Sequence, residues 1–293
     1  MIKKSLFGLS AFFIYLLSLM PFWLLYLFAD FLFLILYYVA AYRRKVTQSN
    51  LLNAFPEKTS KERSLIERNF YRFLADNVLE SLKMRSMSAE DIRKHCIITN
   101  PEEVNKHLLK GKAVLFATGH YANWEWGNLI LALTFKEKLF VIYKPLSNKY
   151  FDSVLNKIRS RFGAIMVPMK STLRKIAELK NEVYLFAFAT DQTPTRHESQ
   201  YFTGFLNQST AVFLGLEKIA KITNNPIVYI HINRVKRGYY EYIFTTLIEE
   251  PKLTKEYEIT NLHTLKLERI INQQPELWLW SHRRWKFSQE DIK

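Results

Sequence analysis

Ala113-Val114-Leu115-Phe116-Ala117-Thr118-Gly119-His120-Tyr121-Ala122-Asn123-Trp124-Glu125-Trp126-Gly127 is the stretch on which the reading of this chain turns. Its first six residues are an apolar run short enough for a buried strand, and Asn128 to Leu133 continue it as an apolar helix. A strand that feeds a helix through a turn carrying a histidine and a carboxylate is an α/β arrangement. In such folds the loops at strand ends carry the chemistry. His120 can take a proton from an alcohol, and Glu125 can hold the imidazole and stabilise its protonated form. On one continuous helix, five residues rotate by about 140°. The pair therefore meets only if His120 lies in the turn and Glu125 in the first helical turn.

Outward from this unit the pattern repeats. Apolar strand-like runs fall at 113–118, 139–143, 164–168, 183–190, 226–232 and 239–246, and helical patterns at 123–135, 148–161, 171–180, 209–223 and 256–273. This alternation predicts an α/β fold with a mainly parallel sheet flanked by helices. The last two strands, around Lys236-Arg237-Gly238, read as an antiparallel hairpin. Upstream, a short strand is expected at 97–99 and a helix at 102–109. Leu65, Ile66, Phe70, Phe73, Leu74, Val78 and Leu82 recur at helical spacing, the mark of an amphipathic packing helix.

Residues 5–29 carry no charge, and after Asp30 the run 31–42 is again apolar. That is too long for a signal peptide core and long enough for a transmembrane candidate, with a buried core helix pair as the soluble alternative. Lys3 and Lys4 flank one end, and Arg43, Arg44 and Lys45 the other. Positive flanks on both sides suit two cytoplasmic ends, so 1–45 reads as a membrane anchor, either one span kinked at Pro21 or a hairpin. Residues 46–293 read as one body that carries His120 and Glu125. The net charge of +15 favours an anionic partner, either a bilayer surface or an acidic protein; no nucleic-acid motif is present. One cysteine, Cys96, rules out an internal disulfide. The eight glycines form no phosphate loop and no dinucleotide fingerprint, and no histidines sit at metal spacing. No cofactor and no metal are expected. Asp191 leaves the run 183–190 into a turn, where a carboxylate serves either an active site or a turn cap.

Several blocks in order resemble the lipid A biosynthesis (lauroyl/myristoyl) acyltransferase family, within the lysophospholipid acyltransferase superfamily. Gly-His-Tyr-Ala-Asn-Trp-Glu resembles its His-x4-Asp/Glu motif. Tyr143-Lys144-Pro145 with Asn148 is similar to its Tyr-Arg-Pro…Asn block, and Arg159-Ser160-Arg161-Phe162-Gly163 to its Arg-x-Arg-x-Gly block. Asp191-Gln192 and Trp280-Ser281-His282-Arg283-Arg284-Trp285-Lys286 match further blocks. Tyr201-Phe202-Thr203-Gly204-Phe205-Leu206-Asn207 departs from its Phe-Phe-Gly block.

The resemblance implies acyl transfer from an acyl carrier protein thioester to a hydroxyl of a membrane lipid, on the cytoplasmic face of a bacterial inner membrane. It places His120, Glu125, Asp191 and one of Arg159 and Arg161 in the catalytic site. Asn123, Tyr143, Lys144, Asn148, Gln192, His282, Arg283 and Arg284 become candidates for binding substrate. The segment 144–180 holds nine Lys or Arg against Asp152 and Glu178, a basic surface for a phosphate or an oxyanion. The favoured acceptor is a lipid A precursor. Three other readings use the same residues: a lysophospholipid or aminolipid acyltransferase, a catalytically inactive membrane-anchored lipid-binding protein, and a thioester hydrolase.

Overall fold

The computed structural model describes residues 12–180 and 182–292. Lys3, Lys4 and the start of the apolar run lie outside them. Seven strands form one sheet in the order β1-β9-β8-β2-β5-β3-β4: β1 (Cys96–Ile98), β2 (Val114–Thr118), β3 (Lys138–Tyr143), β4 (Ile165–Pro168), β5 (Tyr184–Ala189), β8 (Ile227–Lys236) and β9 (Tyr239–Ile248). All neighbours run parallel except the β8–β9 hairpin. β2 and β5 are apolar on both faces because helices cover both, which is why they read as unbroken hydrophobic runs. The expected α/β class and parallel sheet are present.

One sequence-based element is different. The helix expected at 209–223 begins only at Gly215; Gln208–Ala211 (β7) instead pairs with Phe202–Phe205 (β6) as a small antiparallel ribbon. Leu206 and Asn207 join the two with φ of 50° and 61°, the doubled left-handed pair that a tight hairpin needs. Leucine at such a position carries no turn signal, so the ribbon was hidden. The block that departs from the family pattern is thus a packed structural piece. Phe205 is buried edge-on to Trp278, and the Asn207 amide donates to Ala54 O at 3.0 Å.

The amphipathic helix is Ser60–Lys83, opened by a capping box in which Thr59 and Glu62 satisfy each other's backbone N–H groups. Phe22–Leu34, extended by a π turn Ile35–Val39, lies antiparallel along it. Leu25, Ala29, Phe33 and Tyr37, four residues apart, form the buried stripe, while Trp23, Leu27 and Phe31 on the opposite side are exposed. Burying a leucine or phenylalanine contributes about 1.5–3 kcal/mol. By length and composition, Phe22–Val39 is also long and apolar enough to cross a membrane. The segment expected as an anchor therefore also supplies one wall of the body's core.

Candidate active site

β2 and β5 are parallel neighbours with Thr118 opposite Ala189. Two residues beyond each strand end come His120 and Asp191, so the sheet register itself brings them together. His120 Nδ1 lies 2.6 Å from Asp191 Oδ1, and the His120 backbone N–H donates to Oδ2 at 2.8 Å. The Trp278 indole N–H donates to the same oxygen at 2.8 Å. The close approach needs Gly119: a Cβ there would stand 3.3 Å from Asp191 Oδ2 and 2.9 Å from the Leu267 methyls.

The Asp191 side chain is 3% exposed and that of His120 18%. Burial opposes charge on both, but they outweigh it for each other. The His120 pKa is raised above its ordinary value by the Asp191 carboxylate, and that of Asp191 is held well below the carboxylate range by His120, Trp278 and the backbone N–H. An ionised Asp191 places the imidazole proton on Nδ1. Nε2 is then a bare acceptor, and the Gln192 amide nitrogen meets it at 3.1 Å. The Trp124 ring stands edge-on 5.2 Å from the imidazole.

Glu125 is not the partner of His120, contrary to the sequence-based pairing. Both its oxygens are held by Arg159: Nε donates to Oε2 at 2.8 Å, and Nη2 to Oε1. The reason is the turn. Ala122 takes φ of 49°, and the helix Trp124–Thr134 starts only after Asn123, so Glu125 faces the helix Lys149–Arg159 while His120 faces β5. Arg159 keeps its charge through this carboxylate despite burial. Arg161 points elsewhere. Its Nη1 donates to Met84 O and, at 2.9 Å, to Met87 O, closing off the carbonyl end of Ser60–Lys83.

The strained turn is held from outside. The Asn77 amide donates to Ala122 O at 3.0 Å, and the Ala122 N–H donates to Leu277 O at 3.0 Å. Asn123, fully buried, caps the helix by accepting from the Trp126 N–H at 2.9 Å and donates to Glu80 Oε2 at 2.7 Å. Both ends of its side chain are thus bound within the scaffold. Glu80 also accepts from Tyr26 and Tyr240, each at 2.8 Å. Burial, with Asp76 nearby, pushes its pKa up to about 7.

The remaining candidates divide. Tyr143 ends β3 close enough to Arg159 to act on its charge, and Lys144 follows it on the surface. Asn148 caps Lys149–Arg159, accepting from the Tyr150 N–H at 3.0 Å. His282 Nε2 accepts from the Thr193 N–H at 3.1 Å, and burial lowers its pKa to about 4, so it holds the turn after Gln192 as a neutral ring. Arg284 is 2% exposed and donates to Ala211 O at 2.7 Å, whereas Arg283 faces solvent. Beside His282 opens a cavity of about 320 Å³, lined by Leu36, Leu74, Val78 and Leu279 with Arg43 at its edge.

Sequence reasoning missed Trp278, Glu80 and Asn77. The available signal was chemical: a buried indole or carboxylate requires a partner.

Residues 1–287 match the family model described as bacterial lipid A biosynthesis acyltransferase. Over 245 residues the chain is 22% identical to a lipid A biosynthesis palmitoleoyltransferase of Escherichia coli (strain K12), covering 83% of this chain and 79% of that protein. It has the same identity and coverage with a lipid A biosynthesis acyltransferase of Shigella flexneri.

Proposed function

The chain belongs to the bacterial lipid A biosynthesis acyltransferase family, and on that premise we propose that it transfers an acyl group from an acyl carrier protein thioester to a hydroxyl of a lipid A precursor. The observation that carries the chemistry is the His120–Asp191 pair at adjacent strand ends, with Nε2 on the side away from Asp191, against the Gln192 amide. The acceptor hydroxyl displaces the Gln192 amide from Nε2 and gives its proton to His120. The alkoxide oxygen attacks the thioester carbonyl. Asp191 stabilises the imidazolium, as a carboxylate does behind any histidine base. The bonds to Glu125 use Nε and Nη2 of Arg159, so Nη1 serves the oxyanion. When the tetrahedral adduct collapses, the C–S bond breaks and the carrier thiolate takes the proton back from His120.

The apolar cavity beside His282 suits an acyl chain, and Arg43 at its edge suits a phosphate on the acceptor. An acidic carrier protein and an anionic inner membrane, approached from the cytoplasmic face, both fit the +15 charge.

The test is transfer from labelled acyl carrier protein thioester by the detergent-solubilised protein. Lipid A precursor and lysophospholipid are offered separately, with His120→Ala alongside. Label in the lipid A precursor, lost in the variant, is the expected result. Label in lysophospholipid alone, free fatty acid alone, or undiminished transfer by His120→Ala each contradicts it.

A further inference from the structure

The apolar segment Phe22–Val39 is accompanied along its whole length by cations lying on its aromatic rings. Lys83 stands 5.4 Å from the Phe22 ring, Arg237 4.4 Å from Tyr26, Arg72 5.2 Å from Phe33 and Arg44 4.1 Å from Tyr37. Just before and after it, Arg85 lies over Tyr15 at 5.2 Å and Arg43 over Tyr42 at 5.7 Å. These cations come from the helix Ser60–Lys83 and the turn just after it, from the tip of the β8–β9 hairpin and from the basic stretch at 43–44. They are therefore fixed parts of the body, set beside the segment one or two turns apart.

The contact is more than stacking. Lys83 donates to Ser18 O at 2.8 Å and Met20 O at 2.7 Å, tying down the break before Pro21. Arg237 bridges Asp30, halfway along the segment and mostly exposed, to the buried Asp76, with contacts of 2.7 and 2.6 Å. The opposite face of the same segment is apolar and open. Trp23 is 71% exposed, Leu27 61%, Phe31 61% and Val39 79%.

Length alone does not decide how such a segment meets a membrane, since eighteen residues reach roughly 27 Å. Its neighbours do decide. A crossing would draw the row of cations, Asp30 and the polar helix Ser60–Lys83 into hydrocarbon, where charged side chains are strongly disfavoured. Lying flat, the same segment sinks its open apolar face into the acyl boundary and leaves the cations level with anionic headgroups.

We propose that Phe22–Val39 rests in the plane of an anionic bilayer surface, its outer apolar face inserted and its flanking cations at headgroup level, instead of crossing the membrane. This rests on the reading that the acceptor is a membrane lipid. It also places Leu36, and with it the cavity beside His282, at the lipid surface, so that the acceptor can enter sideways.

The experiment needs no turnover, so its outcome is independent of the transfer assay. Cys96 is buried and the chain has no other cysteine, so a single exposed cysteine at Leu27, Phe31, Leu34 or Tyr38 carries a spin label alone. The full chain is placed on vesicles of phosphatidylethanolamine and phosphatidylglycerol, and label depth is read from the relative accessibility to oxygen and to a water-soluble nickel complex. The expected result is one shallow depth, about 5–10 Å, for all four positions. A crossing helix would separate Leu27 and Tyr38 by roughly 16 Å in depth, and that gradient would overturn the proposal. So would labels with no contact to lipid, whether open to water or covered by a second copy of the chain. In a parallel measurement, Arg72→Gln and Arg85→Gln should each weaken binding to these vesicles by about fivefold and leave binding to phosphatidylcholine vesicles unchanged. Equal loss on both lipids would also count against it.

Discussion

Two carboxylates stand near His120, and they behave differently. Glu125 lies five residues away in the chain, on the helix that the same turn launches, yet both its oxygens are held by Arg159. Asp191 lies seventy-one residues away and holds both the imidazole Nδ1 and the backbone N–H of His120. One carboxylate sets a tautomer, and the other aims a guanidinium. Proximity in sequence pointed to the wrong partner because the positive φ at Ala122 turns the helix away. Adjacency of two strands in the sheet supplied the right one.

The largest effect should follow from breaking the Asp191 side. Asp191→Asn leaves the shape but removes the charge that fixes the proton on Nδ1, and transfer should fall by about 10³–10⁴. The same variant sharpens the comparison through pH. In the proposed mechanism the base works unprotonated, and the raised His120 pKa puts the acid limb of kcat/KM above pH 6.5 in the wild type. Without Asp191, burial dominates, and the limb should move to lower pH even as the plateau collapses.

Glu125→Gln should cost less, about 10–10² in kcat, by releasing Arg159 from the oxyanion role proposed for it. The two arginines of the Arg-Ser-Arg block should then separate. Arg161→Ala should lower stability by about 1–3 kcal/mol, as carbonyls at the end of Ser60–Lys83 lose a charged donor. For a chain of this size that is a Tm drop of a few degrees by calorimetry, with kcat nearly unchanged. Asn148→Ala, which removes a helix cap, should be the smallest, about 1 kcal/mol.

The pair also shapes stability, with opposite signs for its two members. Asp191, with its pKa depressed by folding, contributes stability above its ordinary value near 3.8 and loses it as pH falls through the lower folded value. His120, with its pKa raised, contributes fully below its ordinary 6.5 and loses that contribution as pH rises through its folded value. Denaturant midpoints of the wild type should therefore exceed those of Asp191→Asn most between about pH 4 and 6.5. Activity rises just where this advantage fades.

Much of the fold was legible because strands buried on both faces are unbroken apolar runs and helices keep their period. β2, β3, β5 and the β8–β9 hairpin needed nothing more. The β6–β7 ribbon was not legible, because Leu206 adopts a conformation its side chain disfavours and distant groups hold the turn: Glu268 on the Leu206 N–H, Trp278 on Phe205 and Ala54 O on Asn207. At the site, His120 was legible from its place after a strand, and Asp191 from its place after another. Their pairing depends on β5 lying between β2 and β3, a property of the topology that local spacing does not encode. Asn123, His282 and Arg284 carried the pattern of ligands but are anchored to Glu80, Thr193 and Ala211.

The most direct test is the pH dependence of kcat/KM for acyl transfer in Asp191→Asn and Glu125→Gln, measured side by side with wild type. Asp191→Asn should lose at least tenfold more rate than Glu125→Gln, and its acid limb should move down by more than that of Glu125→Gln. Glu125→Gln as the more damaging change, with Asp191→Asn keeping the wild-type acid limb, would return the role of orienter to Glu125.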